Sequence, residues 1–249
     1  MLTTPTPTTT TGHMLGGRVR YRQPETGFRS GIEPVLLAAA IPARSGEHVL
    51  EAGTGAGAAL LCLSVRVPGV QATGIEIDAG IAALAAGNAG DNGFDGIAIV
   101  THAIESVVFD HVFDHAFANP PYHSPDGTAS PLAARETAKR GSPPMMVVWI
   151  RRMSHALRDR GSLTLVVPAG LLPACLAAMA EAHCPCTHLF PLWPKLNQPA
   201  KLVLLRGVKR ARTPMLLSSG IVLHHPDGSF TDEAEAILRD AAALNLSGR

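Results

Sequence analysis

His48-Val49-Leu50-Glu51-Ala52-Gly53-Thr54-Gly55-Ala56-Gly57-Ala58 opens as an apolar strand and breaks into a loop with glycine at every second position. Residues 58–67 then read as an apolar helix. Strand, glycine loop and helix in that order make a cradle: glycines let the backbone come close to a ligand, and the helix N-terminus favours negative charge. The next strand, over 71–77, ends with Glu76, placed where a carboxylate can hold a ribose through both hydroxyls. Beyond it the chain keeps alternating. Helices are expected over 79–88, 144–159 and 171–183, and strands over 97–100, 112–118, 162–167, 189–192 and 201–205. The alternation predicts an α/β, Rossmann-like fold, a mostly parallel sheet with helices on both faces. Ligands in such sheets bind outside the carboxyl ends of the strands. After Pro214 a short strand over 221–223, a turn at Pro226-Asp227-Gly228 and an amphipathic helix begun by Thr231-Asp232-Glu233 complete the chain, the acids suiting a helix N-terminus.

A second signal closes the strand over 112–118: Asn119-Pro120-Pro121-Tyr122. A planar exocyclic amine is a poor nucleophile because its lone pair is delocalised into the neighbouring π system. If the Asn119 side-chain oxygen and the Pro120 carbonyl each accept one amine hydrogen, the nitrogen can become tetrahedral as it attacks, and its developing positive charge meets fixed dipoles. Pro120 and Pro121 stiffen the turn, and Tyr122 offers a ring on which a base can stack. The plainer reading is a strand-ending turn with proline for rigidity.

The glycine loop by itself leaves the cofactor open, since Gly53-x-Gly55-x-x-Ala58 also satisfies the relaxed dinucleotide fingerprint of nicotinamide enzymes. Glu51 ahead of the loop, the alternate glycines and the later Asn-Pro-Pro-Tyr lean to S-adenosyl-L-methionine. Glu76 would take its ribose, Ile77 would lie beside its adenine, and the methionine part would sit over Gly53, Thr54, Gly55 and Gly57 near Glu51.

Composition bounds these readings. The 249 residues, 46% hydrophobic and 16% charged, suffice for a full core. No apolar run reaches membrane-spanning length and the start of the chain lacks a signal-peptide layout, so the cytoplasm is expected. Residues 1–17 read as a disordered Thr/Pro tail, 18–45 as a covering segment, 46–212 as the main domain and 213–249 as its C-terminal extension. Cys62, Cys175, Cys184 and Cys186 have no framework spacing, and His183-Cys184-Pro185-Cys186-Thr187-His188 lacks a second ligand cluster, so no metal is expected. The net charge of +1 hides a segregation. Residues 45–134 carry ten acids against Arg66 alone, while 195–212 carry six bases and no acid. Such a block is either a solvated face or a surface for a polyanion.

Taken together, Gln23-Pro24, Gly27-Phe28-Arg29, Glu51-Ala52-Gly53-Thr54-Gly55-Ala56-Gly57, Glu76-Ile77-Asp78, Asn119-Pro120-Pro121-Tyr122, Ala134-Arg135, Lys209-x-x-Arg212 and Asp227-Gly228-x-Phe230-Thr231 resemble the bacterial adenine-N6 tRNA methyltransferases that act beside the anticodon of a valine tRNA. The resemblance spans roughly residues 20–240. It implies a class I methyltransferase fold, S-adenosyl-L-methionine as cofactor and Asn119 to Tyr122 as the target-amine site. It also implies an RNA surface, for which Arg29, Arg135, Lys139, Arg140, Lys209, Arg210 and Arg212 are the candidates. Glu51 and Glu33 stand where the family generally has Asp, and His102-Ala103-Ile104 lacks the acid expected beside the cofactor adenine. Asn-Pro-Pro-Tyr also serves glutamine-N5 and DNA adenine methyltransferases, so a protein or small-molecule methyltransferase is the alternative, with a non-catalytic nucleotide- or RNA-binding module behind it.

Overall fold

A computed structural model describes residues 8–26, 30–121 and 143–247. The chain begins with a hairpin of β1 (Thr9–Met14) and β2 (Val19–Pro24), followed by α1 (Glu33–Ala40), β3 (His48–Ala52), α2 (Ala58–Arg66), β4 (Gln71–Glu76), α3 (Ala79–Asp91), β5 (Ile97–Thr101) and β6 (Phe113–Ala118). It continues through α4 (Pro143–Ala156), β7 (Leu157–Pro168), α5 (Leu172–Glu181), β8 (Cys186–Lys195), β9 (Leu202–Val208), β10 (Leu216–Leu217), β11 (Ile221–His224) and α6 (Asp232–Asp240). The central sheet runs β10-β8-β9-β7-β6-β3-β4-β5, with β11 also on β8. β3, β4, β5, β6 and β7 are mutually parallel, and β9 lies antiparallel between β7 and β8.

Successive strand residues serve opposite faces, which is why these strands read as continuous apolar runs. Val49 packs in the layer of α1, α2, α3 and α6, its neighbour Leu50 in the layer of α4 and α5; Leu165 and Val166 divide in the same way. The carbonyls ending α1 take donors from outside the helix: Arg66 Nη2 donates to Ala38 O at 2.9 Å beside Ile41 N, Leu244 N to Ala39 O at 2.9 Å, and Arg206 to Ala40 O. Arg206 is therefore part of the scaffold. Thr231 Oγ1 caps α6 by accepting from Ala234 N.

Two expectations change. Thr9–Met14, assigned to a disordered tail, pairs in register with β2 from Thr9↔Pro24 to Met14↔Val19. The basic block also divides. β9 runs against β7, so its start, beside Lys201, lies at the carboxyl end of the parallel strands, and its last residue, Val208, pairs with Ser162 at the other end. Lys209, Arg210 and Arg212 thus emerge at the sheet end opposite Asn119. Lys209 is 5% exposed, and its ammonium donates to Leu157 O at 2.6 Å. Arg210 pairs with Asp159 at 2.7 Å. Of the three, Lys209 is thus buried, while Arg210 and Arg212 stay exposed at the sheet end opposite Asn119.

Candidate functional site

β3 and β6 are adjacent, with Ala52 opposite Ala118, so the glycine loop and Asn119 leave the sheet side by side. β4 lies on the other flank of β3, with Ala52 opposite Ile75, which brings Glu76 to the same crevice. Strand order alone therefore gathers Gly53 to Gly57, Glu76, Ile77 and Asn119 to Pro121. Tyr122, Arg29, Arg135, Lys139 and Arg140 lie outside the described residues.

Within the loop, Gly53, Gly55 and Gly57 have φ of 67°, 55° and 89°, the left-handed region that favours glycine. A Cβ on Gly55 would meet nothing within 4 Å, so among the described residues the crest of the loop faces open space. Its base is pinned: Thr54 N donates to Ile75 O at 2.9 Å, and Gly55 N donates to Glu76 Oε2 at 3.0 Å. Glu76 Oε1 accepts from Asp78 N at 3.0 Å. Each carboxylate oxygen thus takes one backbone donor, leaving acceptor capacity on both for two hydroxyls. Beside it the Ile77 side chain is 65% exposed, an apolar patch at the rim where a flat ring can lie.

Glu51 is buried, and Thr54 Oγ1 donates to its Oε2 at 2.6 Å. Burial pushes its carboxyl up to about 8, the Thr54 hydrogen bond opposing and the charge of Glu76 adding to the rise. Near neutral pH the carboxyl is thus held largely in its protonated form, and a cation brought beside it would favour its ionisation. At the neighbouring corner, Asn119 Oδ1 is buried and finds no hydrogen-bond partner among the described residues. Buried polar atoms are ordinarily satisfied, so an orphaned amide oxygen at the carboxyl end of a sheet is an acceptor waiting for an external donor.

Sequence reasoning missed other parts of the crevice. Glu105 supplies an acid just beyond His102-Ala103-Ile104, and its Oε1 accepts from Trp149 Nε1 at 2.9 Å. The Trp149 ring lies against Gly53, 2.7 Å from where a Cβ would stand. Nothing in the spacing of 105 and 149 announces that contact. Asn88 near the end of the alanine-rich α3 and Asn92 at its C-cap, four residues apart, bond the backbone of β2, and an amide pair at that spacing on an otherwise apolar helix is a signal that can be read. Among the described residues, the metal-type side chains that do converge, Asp110, His111 and His155, are exposed near β6 and β7 starts, away from this crevice.

The family model for the methyltransferase small domain matches residues 33–171. A protein of Porphyromonas gingivalis named tRNA1(Val) (adenine(37)-N6)-methyltransferase is 34% identical over 166 residues, which are 60% of this chain and 63% of that one. The match thus spans less than two thirds of that relative's own length. A Vibrio campbellii protein of the same name is 21% identical across 87% of this chain and 89% of its own. Among solved structures, a predicted O-methyltransferase from Agrobacterium tumefaciens superposes with a TM-score of 0.70 at 19% identity, covering 85% of this chain and 97% of that one. M. jannaschii TYW2 in complex with AdoMet gives 0.56 at 13% identity, over 84% and 88%. The fold is the Rossmann-like one of class I methyltransferases. Among the described residues no helix is long and apolar enough to cross a membrane.

Proposed function

Because the chain belongs to the methyltransferase small domain family, we propose that it is an S-adenosyl-L-methionine-dependent methyltransferase acting on N6 of an adenine in a tRNA, in the cytoplasm. The names of the relatives point to this substrate. The observation that carries the chemistry is the buried Asn119 Oδ1 beside the glycine loop, without a partner among the described residues.

S-adenosyl-L-methionine, when bound, supplies a methyl group on a positively charged sulfur. The residues present fit it: Glu76 retains acceptor capacity for a ribose, the Gly53 to Gly57 backbone offers an open crest, and Glu51 stands ready for an ammonium. Asn119 Oδ1 and the Pro120 carbonyl would hold the two hydrogens of the adenine amine and aim its lone pair. As the nitrogen gained the methyl carbon, the carbon–sulfur bond would break with its electron pair left on the departing thioether, and the positive charge on nitrogen would be met by these two dipoles, which need no reorganisation. Loss of one proton then leaves the neutral N6-methyl product.

An adenine must leave its stack to reach Asn119, so contacts elsewhere on the RNA supply the energy of extrusion. Tyr122, Arg29, Arg135, Lys139 and Arg140 remain proposed partners. At the carboxyl end of the sheet, Lys195 and Lys201 replace the block at 209–212. The test incubates the purified protein with bulk tRNA and isotopically labelled S-adenosyl-L-methionine and digests the RNA to nucleosides. Labelled N6-methyladenosine, absent with Asn119→Ala, is expected. Label recovered in protein glutamine instead would overturn the substrate assignment.

A further inference from the structure

We propose that Asn88 is a positioning residue for the glycine loop and locks that loop to the N-terminal hairpin; the inference rests on the reading that this loop holds S-adenosyl-L-methionine. Asn88 lies on α3 and is 1% exposed. Its Nδ2 donates to Ala56 O at 2.9 Å and to Arg22 O at 2.8 Å, and its Oδ1 accepts from Arg22 N at 3.0 Å. Ala56 sits between two left-handed glycines, Gly55 and Gly57, where the carbonyl cannot join a regular ladder. A buried carbonyl there needs a donor from elsewhere, and Asn88 supplies it.

The other side of the same amide treats Arg22 as a neighbouring strand would, bonding both its N–H and its carbonyl. One turn on, Asn92 does so for Arg20: Oδ1 accepts from Arg20 N at 2.9 Å and Nδ2 donates to Arg20 O at 2.7 Å. The spacing fits, because four helical residues rise about 6 Å and two strand residues about 6.7 Å. The Arg22 guanidinium also lies over α3, its Nη2 2.8 Å from where a Cβ on Gly87 would stand. An Arg22–Asp91 ion pair at 2.9 Å flanks the contact. Of the two amides, Asn88 alone bonds the loop: Asn88 is a rung that serves hairpin and loop together, and Asn92, which caps the end of α3 and donates to Asn88 O at 2.7 Å, serves the hairpin.

That difference supplies the test. Full-length wild type, Asn88→Asp, Asn88→Ala and Asn92→Ala are compared by titration calorimetry with S-adenosylhomocysteine and by amide hydrogen exchange. Asn88→Asp keeps the shape and removes both donors, so it decides the question even if the alanine variant folds poorly. The Asn88 variants are expected to weaken binding by on the order of tenfold, the scale of one lost hydrogen bond, and to speed exchange in residues 54–57 and 20–24. Asn92→Ala is expected to speed exchange in 20–24 while leaving affinity within about twofold. Equal weakening by Asn92→Ala, or unchanged affinity in Asn88→Asp, overturns the proposal. If the wild type binds no S-adenosylhomocysteine, the cofactor reading fails, and the exchange of residues 54–57 still decides whether Asn88 holds the loop.

Discussion

Glu51 sits in the apolar interior of β3 and still carries a carboxyl, held up to about 8 by burial, with Thr54 opposing and Glu76 assisting. The folded value lies above the usual 4.5, so the protonated form is favoured on folding. That contribution is complete below pH about 4.5 and is lost as the pH rises to about 8. Glu51→Gln stays neutral throughout. Melting temperatures taken from pH 5 to pH 8 are therefore expected to fall more steeply for wild type than for the variant; parallel curves would show that Glu51 ionises freely. Asn119 acts differently, on a charge that exists only during reaction. Asn119→Ala is expected to lower kcat by about a hundredfold or more while S-adenosylhomocysteine affinity stays within about twofold, measured by steady-state kinetics and calorimetry. Comparable loss of affinity would make Asn119 a turn residue. The placing of Glu51, Glu76 and Asn119 around one crevice was legible in the sequence because each sits at the carboxyl end of a strand in a regular alternation. The burial of Lys209 against Leu157 was not, because strands far apart in the chain create it.

The glycine loop and α4 meet in a contact that separates two glycines of similar backbone. Gly53 and Gly55 both have positive φ, but a Cβ on Gly53 would enter the Trp149 ring, whereas one on Gly55 would reach open space. The ring cannot retreat without breaking the Trp149 Nε1 bond to Glu105. Gly55→Ala is thus expected to lower stability by the left-handed strain alone, about 1–2 kcal/mol, and Gly53→Ala by about a further 1–3 kcal/mol of overpacking. Denaturant melts give the order; a Gly53→Ala variant no less stable than Gly55→Ala would refute the contact. The main strands and helices were readable because apolar periodicity and glycine breaks are local. The 144–159 helix was set too long at its end, where Leu157 already pairs with Phe113 of β6. The β1–β2 hairpin escaped notice for a different reason. Its threonine-rich first strand and basic second strand make a two-stranded ribbon, which is marginal alone, and Asn88 and Asn92, about 70 residues on, supply backbone partners that no local pattern reveals.

At the scale of the whole molecule, charge counted along the chain and charge arranged in space disagree. The run at 195–212 contains six bases without an acid, yet β8 and β9 form an antiparallel pair that sorts them between the two ends of the sheet. Lys209 and Arg210 go to the end where Arg158 already pairs with Asp114 at 2.6 Å and with Glu47 at 3.8 Å. Lys195 and Lys201 flank the β8–β9 turn at the end that carries Asn119. One donor of the Lys195 ammonium is used by Pro226 O at 2.9 Å, which leaves two for phosphate oxygens. From Asn119 to this turn the sheet crosses β7 and β9, a span of about 14 Å at the usual strand spacing, within reach of the nucleotides flanking an extruded base. If the lysines hold RNA there, each phosphate contact steepens the plot of log affinity against log salt by about 0.7 on a single strand or 0.9 on a duplex. Replacing Lys195 and Lys201 together by glutamine is then expected to flatten that plot by about 1.4 to 1.8, with S-adenosylhomocysteine affinity unchanged. Replacing Arg210 and Arg212 is expected to leave the slope as it was. Filter binding of tRNA over a salt series measures both, and the reverse ranking of the two pairs would return the RNA surface to the opposite end of the sheet, where an adenine could not also reach Asn119.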